Sequence, residues 1–291
     1  MDFGKVITAM VTPFDENQAV DFRAFENLIE HLIKTGTDSL LVTGTTGESP
    51  TLSDEEKLEL FKAAKSVAGK RAKVIAGTGS NSTHHSIELS QKAEKIGVDG
   101  LLLVSPYYNK PTQEGLYQHF RMIAQSVDIP VILYNVPGRT AVTIEPETLA
   151  RLSEVKNIAA VKDAGGNLDK TSRTRVLAPD LTVYSGDDSL TLPMLALGAK
   201  GIISVASHIV GQDIKEMIEA FEGGDHKKAE DIHLKLFGLF KALFVITNPI
   251  PVKEALNMMG IKVGGFRPPL TPADEKTRKV LEGVLKELDL C

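Results

Sequence analysis

The chain has 291 residues, of which 42% are hydrophobic and 24% charged, and its formal net charge is −5. This composition is typical of a globular protein with a large core, and the lack of a basic run argues against nucleic acid or a membrane surface as a partner. The single cysteine, Cys291, is the last residue, so no intramolecular disulfide can form. We find no signal peptide and no apolar run of the roughly 20 residues that span a membrane, and we expect a cytoplasmic protein.

Apolar runs typical of strands alternate with amphipathic helix patterns over residues 1–224. We predict strands at 6–11, 39–43, 73–77, 100–104, 130–135, 157–163, 181–184 and 201–205. We predict helices at 22–34, 53–68, 83–96, 112–127, 145–152, 190–197 and 213–221. After residue 224 the strands stop, and residues 225–246, 251–259 and 272–288 each have a helical pattern.

This alternation favours an α/β fold: a (β/α)8 TIM barrel, formed as a catalytic domain by residues 1–224, with a C-terminal three-helix appendage at 225–291. A doubly wound sheet is the second interpretation. Such a sheet usually opens with a glycine-rich dinucleotide turn, and the first strand here has none.

Lys162 follows four apolar residues at the end of a predicted buried strand. An unpaired amine in a low dielectric loses hydration, and its pKa falls from about 10.4 towards neutrality. A neutral amine can attack a ketone and form a Schiff base. The alternative is a lysine whose stem lies on apolar surface while its head reaches water. From this segment alone the alternative is favoured, and the other strand ends reverse that preference.

In a barrel, chemistry collects at the C-terminal ends of the strands. These ends carry many hydroxyl groups, and Tyr134 should lie closest to Lys162 because their strands are neighbours. A phenol there could relay protons, or it could be an ordinary core tyrosine. The residues 44–47 could likewise form a plain turn or a nest of N–H groups for a carboxylate.

The sequence shows no histidine pair or cluster with metal-ligand spacing, so we expect no metal site. The loop after the seventh predicted strand carries Asp187 and Asp188, whose charges would repel a phosphate ester. A small carboxylate is therefore the expected kind of substrate.

Six segments, 44–49, 105–111, 134–140, 161–163, 185–188 and 248–253, resemble the dihydrodipicolinate synthase branch of the N-acetylneuraminate lyase family of class I aldolases. The resemblance runs the whole length of the chain. Arg139, which follows Tyr134 and Asn135, is similar to the synthase type rather than to the lyases for sialic acid or 2-keto-3-deoxy sugar acids.

The resemblance implies a Schiff base between Lys162 and pyruvate, condensation with L-aspartate-4-semialdehyde to 4-hydroxy-tetrahydrodipicolinate, and no cofactor. It implies a homotetramer, a dimer of dimers, in which one residue of the proton relay comes from a neighbouring subunit. The implied catalytic residues are Lys162, Tyr134, Thr45 and the neighbour-derived Tyr108. The implied substrate-binding residues are Thr46, Arg139, Gly186 and Ile203.

The resemblance also implies an effector pocket. Its residues would be Ser49, Pro50, Asp54, Lys57, Asn81, His85 and Tyr107. In lysine-inhibited members histidines stand at the positions of Asp54 and Lys57, and a glutamate stands at that of His85. Losing that carboxylate and gaining a cation disfavours a cationic ligand, so we expect L-lysine to inhibit weakly or not at all.

Two other functions stay open from the sequence. A pyruvate-dependent aldolase for a sugar acid would keep the chemistry and change the substrate. A non-catalytic barrel could bind a small carboxylate without forming an imine.

Overall fold

The computed structural model describes residues 2–291 and contains a closed barrel of eight parallel strands. Each strand pairs with the next in sequence, and the first pairs with the last. The strands are β1 (Val6–Ala9), β2 (Ser39–Val42), β3 (Lys73–Gly77), β4 (Gly100–Val104), β5 (Val131–Asn135), β6 (Ile158–Asp163), β7 (Thr182–Ser185) and β8 (Gly201–Ser204). The predicted TIM barrel is confirmed, and the doubly wound sheet is wrong because β1 and β8 close the ring.

Helices connect the strands and follow the last one. They are α1 (Phe22–Lys34), α2 (Asp54–Ala68), α3 (Thr83–Ile96), α4 (Gln113–Ala124), α5 (Pro137–Thr140), α6 (Pro146–Ser153), α7 (Leu168–Leu177), α8 (Thr191–Ala196), α9 (Ser207–Glu222), α10 (His226–Ala242), α11 (Ile250–Met258) and α12 (Glu275–Glu287). No helix within residues 2–291 is long and apolar enough to cross a membrane.

The strands are apolar on both faces because one face lines the barrel interior and the other packs under the helices. In β6, Ala160 belongs to the cluster inside the barrel, whereas Val161 belongs to the cluster beneath the helices. Lys162 has the same parity as Ala160, so its side chain faces the interior.

Helix ends with polar caps were predicted best. The Asp21 side chain accepts from the N–H of Ala24 at the start of α1, and Ser53 forms the expected capping box with Glu56 at the start of α2. The structure adds α7, which no predicted helix covered. Its buried residues include Thr171 and Thr174, so it shows no apolar stripe.

Helix α9 begins at Ser207 rather than at the predicted residue 213. Its first turn is buried and is separated from the rest by a kink, where Val210 has non-helical backbone angles. That turn has no amphipathic pattern because all its sides are covered, which explains the late predicted start.

The appendage (residues 225–291) contains α10, α11 and α12 as predicted, with small changes at their ends. Its buried side chains join the same apolar cluster as those beneath the barrel helices. The division of the chain at residue 224 stays a prediction.

His208 links the segments that follow β1 and β8, the two strands that close the barrel. Its Nε2 accepts from the N–H of Val11 at 3.1 Å, and its Nδ1–H donates to the carbonyl of Val205 at 2.8 Å. The ring is fully buried, and burial lowers its pKa from 6.5 to about 4. The neutral ring, with its proton on Nδ1, is therefore part of the folded structure.

We expect His208 to make stability depend on pH. Below about pH 6.5 the unfolded chain binds a proton that the folded ring resists, so the free energy of unfolding falls as the pH falls towards 4, by up to about 3 kcal/mol. Urea unfolding of wild type and His208→Gln over this range measures the effect, with the exposed His84→Gln as the control. The prediction would be contradicted if the free energy of unfolding of His208→Gln fell with pH as steeply as that of wild type.

Candidate active site

Lys162 is buried in the barrel interior with 5% of its surface exposed. Burial lowers the pKa of its amine from 10.5 to about 8; the charge of Asp188 opposes this shift and that of Arg139 adds to it. A lower pKa raises the neutral fraction at pH 7 by about two orders of magnitude. The interpretation of Lys162 as a lysine whose head reaches water is therefore wrong.

Tyr134 lies beside Lys162, as predicted from the neighbouring strands. The two residues are register partners between β5 and β6, and the Lys162 Nζ is 4.3 Å from the centre of the Tyr134 ring. Burial raises the pKa of the phenol, whereas the Arg139 charge and hydrogen bonding by Thr45 act in the opposite direction. The phenol thus keeps its proton near neutral pH and can donate it to a nearby group.

Asp188 supplies the negative charge near the amine. It is buried, and its carboxylate accepts from the Ser204 hydroxyl at 2.5 Å and from the N–H groups of Val205 and Ala206 at 3.2 Å each. Burial raises its pKa to about 6, and these donors oppose the rise. The carboxylate is still mostly ionised at neutral pH, so it offsets part of the desolvation of Lys162.

The β2 loop (residues 44–48) turns sharply after β2. Its later N–H groups are used within the loop: Gly47 donates to the carbonyl of Gly44 and Glu48 to that of Thr45. The N–H groups of Thr45 and Thr46 make no hydrogen bond to any of residues 2–291. Two free adjacent N–H groups favour the carboxylate nest over the plain turn.

Gly186 allows the chain after β7 to pass close to the end of β6 and the stem of Lys162. A Cβ at this position would lie 2.8 Å from the Cβ of Ala164 and 3.1 Å from the Cγ of Lys162. Ile203, on β8, is buried in the interior cluster. The structure therefore brings both of these expected residues to the same end or interior of the barrel as Lys162.

Two cavities meet at Tyr134 and Arg139, which line both. The first has a volume of about 570 Å³ and also contains Thr45. The second has a volume of about 430 Å³ and contains Gly186 and Asn248. Arg139 is exposed at this junction, and its Nη2 donates to the carbonyl of Asn248 at 3.3 Å.

All seven residues of the expected effector pocket line the first cavity. Asp54 already has two partners in this cavity: its carboxylate lies 2.8 Å from the Nε2 of His85 and 3.6 Å from the Nζ of Lys57. Asn81 donates to the carbonyl of Tyr107 at 3.1 Å. The polar wall of the cavity therefore places the side chains of Lys57 and His85 around one carboxylate.

Tyr108 is not part of these cavities. Its side chain is 92% exposed, and its backbone has the left-handed φ of 72°. Within one chain, the structure does not bring Tyr108 together with Tyr134 and Lys162.

Sequence reasoning missed the roles of Asp188 and Asn248, although both lie in segments that it singled out. Asp188 was considered only as a charge that repels phosphate. The side chain of Asn248 is buried, and its Nδ2 donates to the Thr46 hydroxyl at 2.9 Å, while its Oδ1 has no partner among residues 2–291. A polar side chain beside the proline-rich hinge before α11 was the signal available for it.

No group of three histidine, cysteine or acidic side chains in the described part of the chain could hold a metal ion.

Comparison with known proteins gives consistent matches over the full length. The 4-hydroxy-tetrahydrodipicolinate synthase of Desulforudis audaxviator is 54% identical over 291 residues, covering 100% of this chain and 99% of that protein. The crystal structure of a dihydrodipicolinate synthase from Bacillus anthracis has a TM-score of 0.96 and 53% identity, with 98% of each chain covered. The enzyme from Cyanidioschyzon merolae, solved with lysine bound, has a TM-score of 0.98 and 47% identity, with 99% of each chain covered. Residues 2–288 match the model of the dihydrodipicolinate synthetase family, and the chain belongs to that family.

Proposed function

We propose that this chain is a lyase that condenses pyruvate with L-aspartate-4-semialdehyde to 4-hydroxy-tetrahydrodipicolinate, a step of lysine and diaminopimelate biosynthesis. The observation that carries the proposal is the buried Lys162 amine with its lowered pKa beside the Tyr134 phenol. Relatives more than half identical to this chain are named for this reaction. They give no support to the sugar-acid aldolase.

The reaction begins when the neutral amine of Lys162 attacks the ketone carbon of pyruvate. Loss of water gives an imine, and loss of a methyl proton gives an enamine. The enamine carbon then adds to the aldehyde of the second substrate. Finally the amine of that substrate attacks the imine carbon, which closes the ring and releases Lys162. The imine serves as the electron sink, so the reaction needs no cofactor.

Each of these steps requires a proton transfer, and the Tyr134 phenol lies close enough to Lys162 to take part in it. The phenol can protonate the departing hydroxyl of the carbinolamine and the new alkoxide after carbon–carbon bond formation. Thr45 lines the first cavity together with Tyr134 and would extend the relay there.

The β2 loop would hold the carboxylate of pyruvate. The free N–H groups of Thr45 and Thr46 supply two donors, and the Thr46 hydroxyl, which accepts from Asn248, can direct its own hydrogen to the substrate. The backbones of Gly186 and Ile203 would flank the bound pyruvate. Arg139 would grip the carboxylate of the second substrate at the cavity mouth, where a planar pair of donors suits it.

The active enzyme would be a homotetramer in the cytoplasm. Tyr108 would complete the proton relay of a neighbouring subunit, which accounts for a tyrosine exposed at the tip of its loop. Apolar side chains exposed on and after α10 suit a second contact between dimers; they are Leu234, Phe237, Phe244 and Val245. The single terminal cysteine suits a reducing compartment.

Borohydride trapping tests the proposed function. We expect wild type incubated with pyruvate and borohydride to gain one reduced pyruvyl group on Lys162, at a rate that rises with pH through about 8 as the amine loses its proton. Lys162→Ala should gain none and lose turnover, while the exposed Lys156→Ala should behave as wild type. Peptide mass spectrometry locates the group. No adduct on wild type would leave the non-catalytic carboxylate-binding barrel as the better interpretation.

Tyr134→Phe should lower kcat by roughly 10² or more, because it removes the proton donor but keeps the ring under the amine. The KM for pyruvate should change little. Tyr184→Phe is a matched control: Tyr184 flanks Lys162 from β7, but its hydroxyl donates to the carbonyl of Gly4 near the chain's start. Equal kcat values for the two variants would make Tyr134 a core tyrosine.

L-Lysine at millimolar concentration should inhibit weakly or not at all. Its ammonium groups would meet Lys57 in the first cavity, where the one nearby carboxylate, Asp54, already has two partners. A lysine titration of steady-state turnover measures this, and His85→Glu, which adds a carboxylate, should increase inhibition. Half-inhibition of wild type far below a millimolar would overturn the prediction.

A further inference from the structure

We propose that the buried ion pair of Lys253 and Glu48 is a positioning pair, which sets the β2 loop for pyruvate from the appendage. The inference rests on the proposed function, because it assigns to the β2 loop the carboxylate of pyruvate. Neither residue touches the reacting atoms, and both act through the loop.

The pair is fully enclosed. Lys253 Nζ lies 2.9 Å from Oε1 of Glu48, with side-chain exposures of 0% and 1%. The amine also donates to the carbonyl of Thr12 at 2.9 Å, and it lies 4.5 Å from the ring centre of Phe14 and 4.9 Å from that of Phe266. These partners replace the water that the ammonium loses on burial.

The carboxylate is equally well satisfied. Its second oxygen, Oε2, accepts from the N–H of Arg267 at 3.2 Å. A buried and hydrogen-bonded ion pair fixes the distance and direction between the two segments that carry it. Yet it adds little net stability compared with well-packed apolar residues, because both charges must be desolvated. Its effect is therefore expected in geometry more than in the free energy of unfolding.

The geometry that it fixes is that of the β2 loop. Glu48 immediately follows Gly47 and has a left-handed φ of 55°, which costs a non-glycine residue about 1 kcal/mol or more. The Thr12 hydroxyl, on the segment that also receives Lys253, donates to the carbonyl of Gly47 at 2.7 Å. The end of the loop is therefore fastened by Thr12 and Lys253 together.

The middle of the loop is fastened from the same part of the appendage. Asn248, which holds the Thr46 hydroxyl, lies just before α11, and Lys253 lies within it. One helix and its leading turn thus hold both the hydroxyl of Thr46 and the carboxylate of Glu48. The free N–H groups of Thr45 and Thr46 lie between or beside these two attachments.

Removal of the pair should misplace those N–H groups. A displacement of about 1 Å in a substrate-positioning group can cost roughly 10² in rate. The loss should fall on pyruvate, since the second substrate is assigned to Arg139, which lies on α5 outside the β2 loop. If the pair only stabilised the fold, its removal would change the KM values for both substrates by similar factors.

The test uses the double variant Lys253→Met/Glu48→Gln, which removes both charges and leaves no unpaired buried ion. We expect it to fold, with a KM for pyruvate raised roughly 10- to 100-fold and a KM for L-aspartate-4-semialdehyde within about twofold of wild type. Arg71→Met/Glu30→Gln is the matched control, because it removes an exposed ion pair and should change neither constant.

Borohydride trapping separates this inference from the proposed function. If wild type forms the adduct and the folded double variant reaches half-maximal trapping at the same pyruvate concentration, the pair does not position the loop. Equal increases in both KM values would also overturn the inference, in favour of a structural role. If wild type forms no adduct, the proposed function fails, and the positioning of pyruvate fails with it.

Glu48→Gln alone keeps the inference open to test if the double variant does not fold. Its amide has the same size as the carboxylate and retains one acceptor for Lys253. We expect the same selective rise in the KM for pyruvate, but smaller, and an unchanged KM would overturn the inference.

Discussion

The burial of one amine inside a closed ring of strands is the constraint on which the site depends. Burial in the barrel interior lowers the pKa of Lys162, and β5 and β7 place aromatic residues on either side of it. The same burial would penalise the charged form more strongly without the carboxylate of Asp188. The barrel therefore lowers the pKa of the amine enough that a useful fraction is neutral and can attack a ketone, while the charge of Asp188 limits the shift.

Several other groups at this end of the barrel are hydrogen-bond donors. The β2 loop offers two N–H groups, Tyr134 offers a phenol, and Arg139 offers a guanidinium at the mouth. They come from different strand ends, which explains why no continuous sequence motif describes the site. What they share is their position at the end of the barrel where the C-termini of the parallel strands lie.

Much of this arrangement could be predicted from the sequence because its signals are local. The run of apolar residues before Lys162 indicates a buried strand. The spacing of Ser53 and Glu56 indicates the capping box at the start of α2. Neighbouring parallel strands then bring Tyr134 to Lys162 by topology alone. The start of α9 was missed because it is covered on all sides and shows no helical pattern of apolar residues. Helix α7 was missed because its buried positions are threonines rather than apolar residues. Asp188 and Asn248 were quoted within motifs, yet their roles depend on partners far along the chain.

Two hydrogen bonds to the β2 loop also have a consequence for synthesis. Thr46 and Asn248 are separated by 202 residues, and Glu48 and Lys253 by 205. Contacts so distant in sequence form late, since the intervening chain must first be ordered. On the ribosome, every strand of the barrel is complete before Asn248 and Lys253 emerge. A nascent barrel therefore contains Lys162 before the β2 loop is fastened, and the appendage is made after the strands whose loop it holds.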